Sequence, residues 1–391
     1  RTGPFGSQLH NEDYVSTGTP IVTVEHLGNR RFSKQNLPLV SDDDKKRLSK
    51  YLLQEGDIVF SRVGSVDRCS YVTSAENDWL FSGRCLRVRC GNNCHPLFLY
   101  YYFCKESVKQ YIKSIAVGAT MPSINTKLMA EIPILLPKLE EQRCIADILS
   151  SFDDKIELNR RINDNLEQQA QALFKSWFVD FEPFRGGEFV DSELGLIPKG
   201  WRVVSLGEVT KQITEKVGNR EDVTVLSPIN SGELVLSEEY FTKQVFSKDL
   251  SKYLIVNPLS FAYNPARINI GSIGLNTFDF VGCVSPVYVV FECEPNYQYF
   301  FDFFKRTAMF KDEVALRAIG GVRQSLGYND LSLIKIIYPT SDVVVEFNNL
   351  YLKMKEVMIK NTDQNEKFIS LRDSLLPKLM SGELKINEFN C

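Results

Sequence analysis

From Ile145 onward the apolar positions of the chain step alternately by four and three: Ile145, Leu149, Phe152, Ile156, then Leu166, Ala170 and Leu173. Two asparagines, Asn159 and Asn163, occupy the steps between Ile156 and Leu166. Residues 155–174 contain neither Gly nor Pro. The alternation is a heptad pattern, and it predicts a long helix with one apolar stripe. Adding 202 to each number gives Phe347, Tyr351, Met354, Met358, Asn361, Asn365, Phe368, Arg372 and Leu375, a second stripe with asparagines at the same two steps. A helix with one apolar face needs a partner, and each stripe finds one in its own repeat. The asparagines lie near the midpoint of both stripes, so an antiparallel pairing brings the two polar layers together. A buried amide without a polar partner is costly, so Asn159, Asn163, Asn361 and Asn365 are expected to select one register. Arg372 alone breaks the seam, and its long side chain is expected to snorkel to water.

The repeat extends beyond the helices. Ile134-Leu-Leu-Pro137 precedes the first helix as Ile336-Ile-Tyr-Pro339 precedes the second. Gly118 and Ser123 match Gly320 and Ser325, and the aromatic run 95–103 matches 297–305. Strands are predicted at 57–60, 85–89, 203–206, 254–256 and 287–291, with buried helices in the aromatic runs. The fold expected is α+β: two α/β domains related by pseudo-two-fold symmetry, separated by two long helices in an antiparallel coiled coil. The boundaries are a first globular domain at 1–138, a central helix at 139–180, a linker at 181–200, a second globular domain at 201–340 and a C-terminal helix at 341–391. The lead-in Ile197-Pro-Lys-Gly-Trp201 has no counterpart before the first domain, so a first strand is expected to be absent there. Residues 145 to 173 would span about 42 Å along a helix axis, or about 12 base pairs if the domains bind DNA.

A net charge of −3 excludes a uniformly basic coat, but the distribution is uneven. Residues 1–130 carry 17 basic and 12 acidic side chains, whereas residues 131–200 carry 8 and 14. The central helix should therefore not lie on a phosphate backbone. No apolar run is long enough for a membrane span, and the expected location is cytoplasmic. Nine cysteines in no framework suit reduced thiols. In the cluster Cys85, Cys90, Cys94, His95 and Cys104, Cys90 and Cys94 lack the second knuckle of a zinc ribbon.

The candidate chemistry is in Gly- and Pro-punctuated loops. Arg pairs with guanine, Asn and Gln with adenine, and Lys with phosphate. The candidates for DNA contact are Thr2, Gln8, Arg62, Ser65, Arg84, Ser123 and Asn125 in the first half. In the second they are Lys216, Asn219, Arg220, Asn264, Arg267, Asn269, Arg323 and Gln324. The aromatic runs could serve as base-stacking platforms, but their contiguity and recurrence favour core packing. No catalytic residues are expected: the three histidines form no triad or metal motif, and no phosphate-binding loop occurs. Asn264-Pro-Ala-Arg267 lacks the second Pro and the aromatic of an adenine-methyltransferase tetrapeptide.

Several strings together resemble a known family. Pro137-Lys-Leu-Glu-Glu-Gln142, Ile145-Ala-Asp-Ile-Leu-Ser-Ser-Phe-Asp-Asp-Lys-Ile-Glu-Leu-Asn159 and Ala172-Leu-Phe-Lys-Ser-Trp-Phe-Val-Asp-Phe181 look like the central conserved region of type I restriction–modification specificity subunits. Gly195-Leu-Ile-Pro-Lys-Gly-Trp201 looks like the start of their second recognition domain, and 371–384 resembles their ending. The resemblance implies two target-recognition domains, each reading half of a bipartite, asymmetric DNA site, with the helices setting the spacer. It also implies docking of two modification (methyltransferase) subunits, with restriction subunits as a further partner for cleavage. No cofactor is expected in this chain; S-adenosylmethionine, ATP and Mg belong to the partner subunits. The competing expectations are a self-contained DNA methyltransferase or nuclease, and a coiled-coil scaffold without DNA.

Overall fold

The computed structural model describes residues 1–4, 8–28, 30–241, 246–318 and 325–385. The chain divides into two compact units, Arg1–Arg161 with Lys360–Cys391, and Ile162–Ile359. Both long helices form. The central helix Leu139–Phe178 has 40 residues and the C-terminal helix Ser341–Ser381 has 41. Each contributes one portion to each unit.

Within the first unit the helices meet at Phe152 and Phe368, with ring centroids 6.1 Å apart. Asn159, fully buried, donates from Nδ2 to Asn365 Oδ1 at 3.0 Å and to Gln364 Oε1 at 3.3 Å. Within the second unit Asn163 Nδ2 donates to the Met358 carbonyl at 3.0 Å, and Phe174 packs on Phe347 at 5.8 Å. Early residues of one helix thus meet late residues of the other, so the pairing is antiparallel. The asparagines make unlike contacts. Asn159 and Asn365 bond side chain to side chain, Asn163 bonds to main chain, and Asn361 offers its carbonyl to Asn159 at 3.5 Å.

Arg372 corrects an expectation, because it does not snorkel. Its Nη1 donates to Asp153 Oδ1, and the other Asp153 oxygen accepts from the Tyr101 hydroxyl at 2.6 Å. Asp153 is nine-tenths buried, so a cation opposite it on the seam lowers the cost of its charge. The Arg372 guanidinium is held above its ordinary range despite burial, chiefly by the Asp153 carboxylate. The second unit has an analogous tie: Arg306 bridges Asp302 of the aromatic helix and Glu167 of the central helix.

Two sheets build the globular part of the first unit. One runs Tyr14–Val15, Leu39–Val40, Thr19–Val22, Leu80–Phe81, and the other Cys69–Tyr71, Ile58–Ser61, Cys85–Val88. The second unit repeats the plan with longer sheets: Leu234–Leu236, Thr224–Pro228, Gly282–Val284, Leu254–Val256, and Thr210–Ile213, Val289–Cys293, Phe261–Tyr263, Ile273–Leu275. Among the described residues each unit has one parallel pairing, Thr19–Val22 with Leu80–Phe81 and Thr224–Pro228 with Gly282–Val284. The aromatic helices Pro96–Cys104 and Gln298–Phe304 are buried against these sheets, the first through Phe60 on Phe103 (4.8 Å) and the second through Phe261 on Phe301 (4.9 Å). Aromatic rings so enclosed serve as core and are not available to stack on bases.

Three local differences from expectation have physical reasons. Residues 181–200, expected as linker, contain the hairpin Phe189–Ser192 with Gly195–Pro198, because Phe181, Phe184 and Ile197 join the core around Trp201. The strand expected at 287–291 begins at Val289, because Ser285 to Tyr288 close a turn with Tyr288 N donating to Ser285 O at 2.9 Å. Strand Lys335–Tyr338 pairs with Arg202–Ser205, whereas its counterpart around 133–136 is in no strand and exposes Leu135 to 70%.

The buried amide pair gives a test of register. Asn159→Ala leaves the Asn365 side chain short of its partner and should cost about 1–3 kcal/mol in urea unfolding. Asn159→Leu combined with Asn365→Leu should return most of that loss, since no lone amide remains on the seam.

Candidate nucleic-acid interface

In the first unit the turn after strand Ile58–Ser61 is fixed almost entirely by main chain. Arg62 N donates to Arg84 O at 2.8 Å, Ile124 N to Arg62 O at 2.9 Å, and Gly64 N to Pro122 O at 2.8 Å. Ser123 bridges Val63 and Val117, and its Oγ donates to Val117 O at 3.1 Å. Gly64 takes φ +77°, the left-handed region that glycine enters without strain. Three segments, 61–65, 82–86 and 117–125, therefore converge. Thr2 joins them by a bridge to Leu86.

The candidates on these segments divide by what they touch. Arg62 is half-buried, and its Nη1 donates to Gly83 O at 3.0 Å, so it braces the neighbouring turn. Asn125 caps helix Thr126–Ala130 by accepting from Leu128 N at 2.9 Å. Ser65 and Arg84 are exposed, as is the tip bearing Val117 and Met121. Gln8 is not joined to this cluster; its Oε1 accepts from the Tyr51 hydroxyl at 2.6 Å and its carbonyl from Arg47 at 2.7 Å.

In the second unit the counterpart turn follows strand Phe261–Tyr263. Asn264 Oδ1 accepts from Ala266 N at 3.0 Å, Arg267 N donates to Asn264 O at 2.9 Å, and a short 3-10 helix Ile268–Ile270 follows. Leu326 N donates to Pro265 O at 3.1 Å, as Ile124 N does to Arg62 O in the first unit. Arg267 and Asn269 are exposed. Tyr288 stands beside them: burial raises its phenol, while the Arg267 charge and a hydrogen bond with the Asn264 side chain lower it. Val287, the neighbour of Tyr288, is 71% exposed. Tyr288 is a candidate that sequence reasoning missed, because strand propensity placed it inside a strand; Ser285-Pro286 was the available turn signal.

Lys216, Asn219 and Arg220 are exposed on a different segment. Lys216 bridges Leu254, Val217 N donates to Tyr253 O at 2.8 Å, and Arg220 pairs with Glu215 at 2.8 Å. Arg323 and Gln324 lie outside the described residues.

These loops present guanidinium, amide and hydroxyl groups on turns held by main-chain hydrogen bonds. Among the described residues, no group of three or more His, Cys, Asp or Glu side chains could hold a metal, and no helix is long and apolar enough to cross a membrane.

Residues 6–168 match the family described as type I restriction modification DNA specificity domain. The matched stretch covers the first globular part and most of the central helix. The chain is similar to specificity subunits through both halves. It is 29% identical over 393 residues to the type I restriction enzyme MjaIX specificity subunit of Methanocaldococcus jannaschii, covering 96% of this chain and 89% of that one. It is 25% identical to the HindI specificity subunit of Haemophilus influenzae, covering 86% and 88%. A similar fold occurs in the crystal structure of the type I restriction–modification S subunit from M. genitalium, with a TM-score of 0.55 at 16% identity, over 97% of this chain and 92% of that chain.

The turn at Gly271 gives a test of how firmly the backbone is held there. Gly271 has φ +95°, and a Cβ there would lie 2.6 Å from the Asn230 carbonyl oxygen. Gly271→Ala should lower stability by about 1–3 kcal/mol and speed amide exchange across 264–272. Calorimetry and exchange mass spectrometry would measure both.

Proposed function

We propose that this chain is the non-catalytic DNA-recognition subunit of a type I restriction–modification complex, acting in the cytoplasm. Each unit reads one half of a bipartite, asymmetric duplex site. The observation that supports this most directly is a repeated scaffold carrying unlike turns. The turn after the central strand is Arg62-Val-Gly-Ser65 in one unit and Asn264-Pro-Ala-Arg267 in the other, each tied through main chain to the segment before the next helix. Identical faces read palindromes; equivalent turns with different side chains suit two different half-sites. Arg84 and Ser65 are the proposed base or phosphate contacts of the first unit. Arg267, Asn269 and Tyr288 are those of the second, with Lys216, Asn219 and Arg220 on phosphates.

The long helices would set the spacer between half-sites and dock two modification subunits, which would bring S-adenosylmethionine. Val345, Leu352 and Ile359, all exposed, recur every seventh residue on the C-terminal helix, and such an apolar row suits a partner helix. Restriction subunits, with ATP and Mg, would join for cleavage.

Two measurements test this proposal. In the complex with its modification subunits, Arg267→Ala should weaken binding by about 1–3 kcal/mol and relax specificity at a base of one half-site, leaving the other half unchanged. Methylation mapping would detect the change, and altered reading of both halves would contradict modular recognition. Inserting about four residues into each long helix, at matched positions, should lengthen the preferred spacer by roughly two base pairs; an unchanged spacer would exclude the ruler.

A further inference from the structure

Cys90 and Cys94 are a pair of partly exposed thiols in one short loop. Their sulfurs lie 3.7 Å apart, with Cys90 Sγ donating to Cys94 Sγ. The residues between them, Gly91, Asn92 and Asn93, are all exposed, and both cysteines are partly exposed. A turn closed by Cys94 N to Gly91 O at 3.2 Å holds them on one side of the loop. Cys69, Cys85, Cys283 and Cys293 are by contrast buried, and burial pushes Cys85 up to about 12 and Cys283 up to about 11. The hydrogen bond from Cys90 lowers the Cys94 thiol, whereas Cys90 itself is raised. A reachable thiol that accepts a hydrogen bond from a second thiol is the arrangement of an attacking and a resolving cysteine.

The loop also touches the start of the central helix. Gln142, almost wholly buried, accepts from His95 N at 2.8 Å, and its Nε2 donates to Asn93 O at 3.1 Å and Pro137 O at 2.8 Å. One glutamine thus fastens both sides of Cys94 to the first turn of the helix.

We propose that Cys90 and Cys94 form a reversible dithiol–disulfide site whose oxidation is transmitted to the central helix through Gln142. The oxidant is a small-molecule disulfide such as oxidised glutathione. The Cys94 thiolate attacks one sulfur of the oxidant, forming a mixed disulfide and releasing one glutathione thiolate. Cys90 then attacks Cys94 Sγ, forming the intramolecular bond and releasing the second. The two protons of the protein thiols end on the two glutathiones, and the protein loses two electrons. Closing the bond brings the sulfurs from 3.7 Å to about 2.05 Å, which moves the loop that Gln142 holds.

The test treats the full chain with oxidised glutathione, alkylates free thiols, and sequences the tryptic peptide 90–105 by mass spectrometry. That peptide also contains Cys104, so Cys104→Ser is run beside Cys90→Ser and Cys94→Ser. The expected result is a bond between Cys90 and Cys94 that forms in the parent and in Cys104→Ser. It should be absent from the other two variants and be reversed by dithiothreitol. Amide exchange at His95 should rise several-fold on oxidation. A persistent glutathione adduct on Cys94, or a bond to Cys104 instead, would overturn the site. A bond that leaves exchange at His95 and Gln142 unchanged would overturn its link to the helix.

Discussion

The pairing of two long helices within one chain is the constraint on which everything else rests. Each helix has a single apolar stripe, and neither stripe could face water alone. Antiparallel pairing buries both, and the Asn159–Asn365 bond makes one register better than its neighbours. The amide is not fully satisfied: Asn159 Oδ1 is buried without a hydrogen-bond partner among the described atoms. A seam built for stability alone would use Leu there. An amide there gives up stability but penalises slippage, so it fixes which residues of the two helices face each other.

The charged ties fix the globular parts to that rod. Tyr101, on an aromatic helix, shares Asp153 with Arg372, so one carboxylate joins both long helices to the core of the first unit. In the second unit Arg306 plays the corresponding part from the turn that follows the aromatic helix. The solutions differ although the scaffold repeats, with the cation on the C-terminal helix in one case and in the turn after the short helix in the other.

Much of this fold was legible in the sequence, because periodicity is a local signal. The seam positions, the aromatic core helices and most strands follow from spacing and propensity alone. The 202-residue offset holds so closely that Glu106–Ile115 and Ala308–Arg317 coincide under it. What escaped depends on contacts between residues distant in sequence. Arg372 seemed a seam defect because its partner lies 219 residues away. Tyr288 sat in a stretch whose β propensity was real but whose turn began one pleat earlier. At the candidate interface, sequence could not tell which side chains the fold itself would use. Arg62 and Asn125 carry recognition chemistry and spend it on a brace and a helix cap.

The turns that follow the central strands are held by amide and carbonyl groups, which every residue except proline supplies in full. Arg62, Gly64 and Ile124 keep that loop in place whatever side chains its tip displays. Codons at exposed tip positions such as Ser65 and Arg84 are therefore free to drift without unravelling the frame beneath them. Substitution at such tips changes the chemistry displayed to a ligand while the path of the backbone stays as it is.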